Sequence, residues 1–293
     1  MQANPPRWQG VVFACLAVSL FASFILVSRA GLTTTMTIPD IAALRFGTSA
    51  LILSPIILMH GLCGLRWHQA IGLAILGGFG FALSAYTGFL LAPAAHGGVF
   101  LHGTLPLTTA LLFWALRRKI DGVAPVAALV TIGLGIVIMA WSGAHTISWT
   151  VALGDFSLLL ASLFWSGYGI YVRALGLTAI HAAAIVTTIS AALFVPIYLL
   201  MRDGAPLQAS WNELMLQAAF QGVLIGAVSI FVYTRAVAIL GAGTVALFTA
   251  AVPVLTTFGG LVLLAETPGI GSLIGVALVS FGCLMPLFWR RTS

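Results

Sequence analysis

Apolar residues run along this chain in blocks close to the roughly 20 positions that carry an α-helix across a bilayer, separated by short polar turns. The first five blocks begin near Gln9, Ile38, His68, Ala94 and Val123, and a second five near Val151, Ile180, Leu214, Ala242 and Gly269. Gly, Pro, Asp or Asn punctuates the connections. The pattern predicts an all-α integral membrane protein of ten transmembrane helices. The first block, Gly10 to Ala30, exceeds the roughly 7 to 15 residues of a signal-peptide core, so it is expected to stay as the first helix.

Composition removes the soluble alternative. The 293 residues are 61% hydrophobic and 6% charged, with mean hydropathy +1.14, too little polar surface to cover a globule in water. The expected environment is a lipid bilayer, with one compact membrane domain. The net charge of +6 is scattered between apolar runs rather than gathered into a stripe, which argues against a nucleic-acid partner. Cys15, Cys63 and Cys283 form no CxxC or close pair, so neither a disulfide framework nor a metal site is expected.

The basic residues give an orientation instead. With the N-terminus inside, Arg7, Arg66, Arg117, Arg118, Lys119, Arg173, Arg235, Arg290 and Arg291 fall on the cytoplasmic side, against Arg29, Arg45 and Arg202 outside. In loops this short the bias puts both termini in the cytoplasm.

The chain also repeats itself. Ser19-Leu20-Phe21-Ala22-Ser23 returns as Ser162-Leu163-Phe164-Trp165-Ser166, Tyr86-Thr87 as Tyr233-Thr234, and Pro106-Leu107-Thr108-Thr109 resembles Pro253-Val254-Leu255-Thr256. Residues 1–145 and 146–293 thus read as two five-helix repeats. Because five is odd, the second copy enters from the opposite side, the inverted arrangement found in secondary transporters.

Ser28-Arg29-Ala30-Gly31, the Pro39 to Phe46 stretch (PDIAALRF) and the Ala242 to Glu266 stretch, followed by Ile274-Gly275, resemble the EamA-type branch of the drug/metabolite transporter superfamily. The resemblance extends over nearly the whole chain and is greatest to the YddG-type exporters of aromatic amino acids. Lys119 stands where the second repeat has Glu266, and Ala22 where many relatives carry Trp. The resemblance implies ten helices in two repeats, with helices one, three, four, six, eight and nine around a central cavity.

Those helices carry Trp165, Tyr168, Tyr86, Phe100, His102, Tyr233 and Phe248 as candidate substrate-binding residues, with Ser23 beside them. Aromatic rings can hold an aromatic substrate in offset or edge-to-face geometry. Trp8, Trp67, Trp141, Trp149, Trp211 and Trp289 lie near helix ends, where interfacial belts account for them. His102 is ionisable at membrane depth, which suggests carboxylate binding or proton relay. The alternative is a neutral imidazole bonded to a neighbouring helix, and His96 is expected in a loop.

Pro106 and Pro253 lack a backbone donor, so both helices are expected to kink, making these positions candidate hinges or gates. The pairs Ser19/Ser23, Gly222/Gly226 and Gly271/Gly275 have the spacing that lets helices approach closely. Asp40, Asp121, Asp203 and Glu213 read as acids in or beside loops, Asp155 as a first-turn acid and Glu266 as a helix-end acid, so no acid is expected within the membrane, which favours uncoupled facilitation or coupling through His102.

No P-loop, HExxH or hydrolytic cluster is present, and no cofactor is implied. The expected function is export of aromatic or other bulky neutral amino acids across a bacterial inner membrane by alternating access. Export of a drug or other metabolite is the alternative, and the charge-poor helices argue against a channel or an embedded enzyme. The expected partners are a small-molecule substrate and the bilayer, with no nucleic acid, and a monomer is compatible with all of this.

Overall fold

A computed structural model describes residues 6–117, 123–142, 148–202 and 209–289. Arg118, Lys119, Asp121, Asp203, Arg290, Arg291 and the junction at 145/146 lie outside the described residues, as does the Trp289 side chain.

The helices are α1 (Arg7–Leu32), α2 (Ile38–His60), α3 (Trp67–Leu91), α4 (Ala94–Ala115), α5 (Val123–Ser142), α6 (Trp149–Ala174), α7 (Ala179–Arg202), α8 (Trp211–Leu240), α9 (Ala242–Thr249), α10 (Val252–Leu263) and α11 (Ile270–Trp289). Seven of them, α1 to α4 and α6 to α8, are long and apolar enough to cross a membrane. Shorter apolar helical stretches cover Pro125–Trp141, Leu247–Leu263 and Ile270–Met285.

Local chemistry explains where helices start. Thr37 accepts from the Asp40 amide while Asp40 takes the Thr37 amide, and Ser210 and Glu213 do the same, so each box satisfies two donors that a helix end leaves open. Pro39 sits within the first two positions of α2, where a missing N–H costs nothing.

The helices pack in antiparallel pairs: α1 with α8, α3 with α6, α2 with α7 and α5 with α11. The α2–α8 seam is close because Gly222 and Gly226 offer no side chain. A Cβ at Gly222 would run into Thr48, and one at Gly226 into Ser49, whose hydroxyl donates to the Gly222 carbonyl at 3.0 Å. Gly275 lies against Met139 on α5 in the same way. Gly222→Val should therefore cost about 1–3 kcal/mol by overpacking, read as a lower melting temperature of the purified protein.

Both proline segments break their helices. α4 is interrupted at Thr104, with Pro106 in the first turn of the segment that follows, and Ala250–Ala251 separate α9 from α10, with Pro253 in the corresponding place. Pro thus stands where each new helix has a donor to spare. The His102 carbonyl is taken by the Thr104 amide. Residues Ala74–Gly78 of α3, Gly97–Gly103 of α4 and Ala218–Val228 of α8 are wound as wide π turns.

Trp8, Trp67, Trp141, Trp149 and Trp211 are all exposed near helix ends, as a belt requires. The three cysteines are free.

Candidate functional site

A cavity of about 520 Å³ lies between α4 and α6, running from Leu105 and Thr109 past Trp165 and Ser166 to Arg173 at the end of α6. Its α4–α6 wall is stitched by hydroxyls. Thr104 donates to Ser162 at 2.9 Å, Thr108 meets Ser166 at 2.8 Å, and Thr109 donates to Ser166 at 3.1 Å. Sequence reasoning missed this ladder, although the Thr108-Thr109 pair and the four-residue spacing of Ser162 and Ser166 were the signal for it.

Trp165 is the candidate residue that lines this cavity. Its ring lies 5.2 Å from Tyr168 and 4.8 Å from Phe81. Phe81 continues the aromatic group to Phe24 at 6.3 Å, and Phe24 to Tyr86 at 6.0 Å. Tyr86 is fully buried, and its hydroxyl donates to Gln221 at 3.2 Å. Gln221 in turn donates to Ser28 at 2.8 Å and to Gln217 at 3.1 Å, and Gln217 donates to the Val27 carbonyl at 2.9 Å. This buried polar string joins α1, α3 and α8, and neither glutamine was singled out from the sequence.

The other candidates fall elsewhere. His102 and Tyr233 meet through Phe21, at 5.5 and 5.9 Å. Phe100 is buried and stacked on His96 at 5.7 Å. Phe248 packs, half-buried, beside Ala14 and Val245, and Ser23 is half-buried on α1. The aromatic candidates thus form three ring groups rather than one, with Phe248 in none of them. The His102 Nδ1 is buried with no hydrogen-bond partner among the described residues, so the imidazole is held by its ring contact and not by the inter-helix hydrogen bond that the sequence left as an alternative at this atom.

Three sequence expectations are corrected here. His96 is not a loop residue: it is helical and buried, and its Nδ1 lies 2.7 Å from Asp155. Asp155 is not a first-turn acid: it lies past the first turn of α6 and is buried, because the His96 ring supplies the partner that makes burial tolerable. Arg45 is also buried, and it does not act as an external loop charge.

Every described ion pair sits at one end of the bundle, where α1 ends and α2, α4 and α6 begin. Arg29 pairs with Glu266 and donates to the Phe89 carbonyl at 2.6 Å, while Glu266 also accepts from the Ala94 amide at 2.8 Å. Asp40 accepts from Arg202 and from the Tyr198 hydroxyl, both at 2.6 Å. His96 and Asp155 make the third pair. The cavity runs toward the opposite end.

A protein of known crystal structure superposes on 98% of this chain and 99% of its own with a TM-score of 0.64, at 21% sequence identity, a likeness of fold. No curated protein matches the chain. Residues 152–288 match the model of the EamA-like transporter family. That segment runs from α6 to α11 and contains Trp165, the Ser162–Ser166 wall and Glu266. The second half of this multi-pass membrane protein is therefore similar to the EamA-like transporter family.

Proposed function

We propose that the chain is a ten-span secondary transporter that exports aromatic or other bulky neutral amino acids across a bacterial inner membrane by alternating access. Residues 1–145 and 146–293 are its inverted repeats, and both termini are cytoplasmic. The reading rests on one observation above the others: Trp165 lines the 520 Å³ cavity and is backed by Tyr168 and Phe81. A cavity walled by rings and hydroxyls suits a substrate with an aromatic body and polar tips.

The helix pairings support the duplication. Exchanging the repeats converts α1 with α8 into α6 with α3, and carries α2 with α7 and α5 with α11 onto themselves. The breaks ahead of Pro106 and Pro253 exchange as well, which favours these positions as hinges. By the positive-inside orientation the ion-paired end faces outward and the cavity runs toward the cytoplasm, the arrangement of a carrier loading its substrate from inside.

Uptake of radiolabelled tryptophan and phenylalanine into proteoliposomes tests the reading. Saturable uptake inhibited by aromatic amino acids, and not by threonine, a nucleobase or a cationic drug, is the expected result. Inhibition by the drug or the nucleobase instead would assign the machine to another metabolite class, and no uptake under any gradient would overturn the reading.

A further inference from the structure

Arg45 lies two turns into α2 and is only 8% exposed. Its guanidinium carbon sits 5.1 Å from the centre of the Phe24 ring and 5.7 Å from that of Phe81, beside the Tyr86 hydroxyl. Among the described residues its Nη1 makes no hydrogen bond. No described acid neutralises it: Asp40 serves Arg202, Asp155 serves His96, Glu266 serves Arg29, and Glu213 caps α8.

A guanidinium stays charged at any working pH, and a charge at membrane depth is costly without a partner. The two rings offset part of that cost through cation–π attraction, but they leave an N–H unused. A carboxylate is the group whose two oxygens match this fork. The route to it is also laid out: Phe81, under the guanidinium, touches Trp165 at 4.8 Å, and Trp165 lines the cavity.

We propose that Arg45 is the recognition residue for the carboxylate of the transported molecule, and that the substrate class is aryl carboxylates, with or without an amino group. The inference rests on the transport reading above for its route, though not for its chemistry. The aromatic body of the ligand lies at Trp165 and Phe81, and its acid group provides the counter-charge that the protein withholds. With every described acid engaged elsewhere, the site does not read an ammonium group by charge.

The test is ligand-dependent thermal stabilisation of the purified full-length protein by tryptophan, indole-3-propionate and tryptamine, with Arg45→Gln and Arg45→Lys beside wild type. Both carboxylates are expected to raise the melting temperature and tryptamine is not. Arg45→Gln should weaken carboxylate binding by about tenfold or more, with Arg45→Lys in between. Should Arg45→Gln fail to fold, the wild-type ligand series and Arg45→Lys decide the matter. Equal stabilisation by tryptamine, unchanged carboxylate affinity in the folded variants, or no stabilisation by either carboxylate would overturn the proposal. Carboxylate binding that depends on Arg45 without transport in proteoliposomes would leave this site standing and retire the transport reading alone.

Discussion

Glu266→Gln should loosen one end of the bundle, lowering the melting temperature and raising the reactivity of cysteines introduced beneath that end. Glu266 carries two duties, the Arg29 guanidinium and the Ala94 amide, so it ties α1, α4 and the segment after α10 together. Gln keeps an acceptor but removes the charge, leaving Arg29 with only carbonyl partners on α3. The pair is 15% and 21% exposed, so the loss should fall below that of a fully buried pair, at about 2 kcal/mol. If the pair forms only when this end is closed, that energy moves the closed-to-open ratio by roughly thirtyfold. The charge-swapped double variant should recover only part of the loss. The Phe89 carbonyl needs a donor and the Ala94 amide an acceptor, and the swap reverses both. Full recovery would mean that charge alone holds this end.

Trp165→Ala should lower the initial rate of aromatic amino-acid transport by about tenfold or more while leaving expression and the size-exclusion profile intact. The ring contacts Tyr168 and Phe81, and each aromatic pair contributes roughly 0.5 to 1.5 kcal/mol beyond burial. Its removal takes those contacts and the face offered to the substrate together. Folding should survive, because Trp165 is only partly buried and stands at a cavity wall rather than in the filled core. Trp165→Phe, which keeps a face at reduced area, should fall between the two. Unchanged transport in Trp165→Ala would remove this residue from the site.

Seven of the expected spans were legible because lipid imposes a length on apolar runs, and the capping boxes at Thr37 and Ser210 mark two starts without reference to tertiary structure. The breaks near Pro106 and Pro253 were legible for the same local reason. Pairings between distant helices were not. Asp155 looks like an ordinary first-turn acid until His96, 59 positions away, is packed against it. Gln221 looks like one polar residue in an apolar run until Tyr86 and Ser28 converge on it. Arg45 was counted with the loop charges because counting basic residues by side ignores which face of a helix each occupies. Its place well inside α2, two turns past the Thr37 cap, was the available sign of an inward-facing charge. The aromatic candidates could be picked from the sequence by type and helix position, but the sequence could not divide them into the Trp165, His102 and Phe100 groups.

The wide turn over Ala218–Val228 in α8 gives this helix a slack that a regular helix lacks. A π turn houses a surplus residue, and one residue of α-helix corresponds to a rotation of about 100°. Deleting one residue after Gly226 within that turn would therefore be taken up as the turn tightens toward regular helix, leaving both the glycine seam at Gly222 and Gly226 and the face of Ser229–Leu240 in place. Tyr233 would stay beside Phe21, whereas the same deletion in the regular helix that follows would turn everything downstream of it by about 100° and present a different set of side chains to α1.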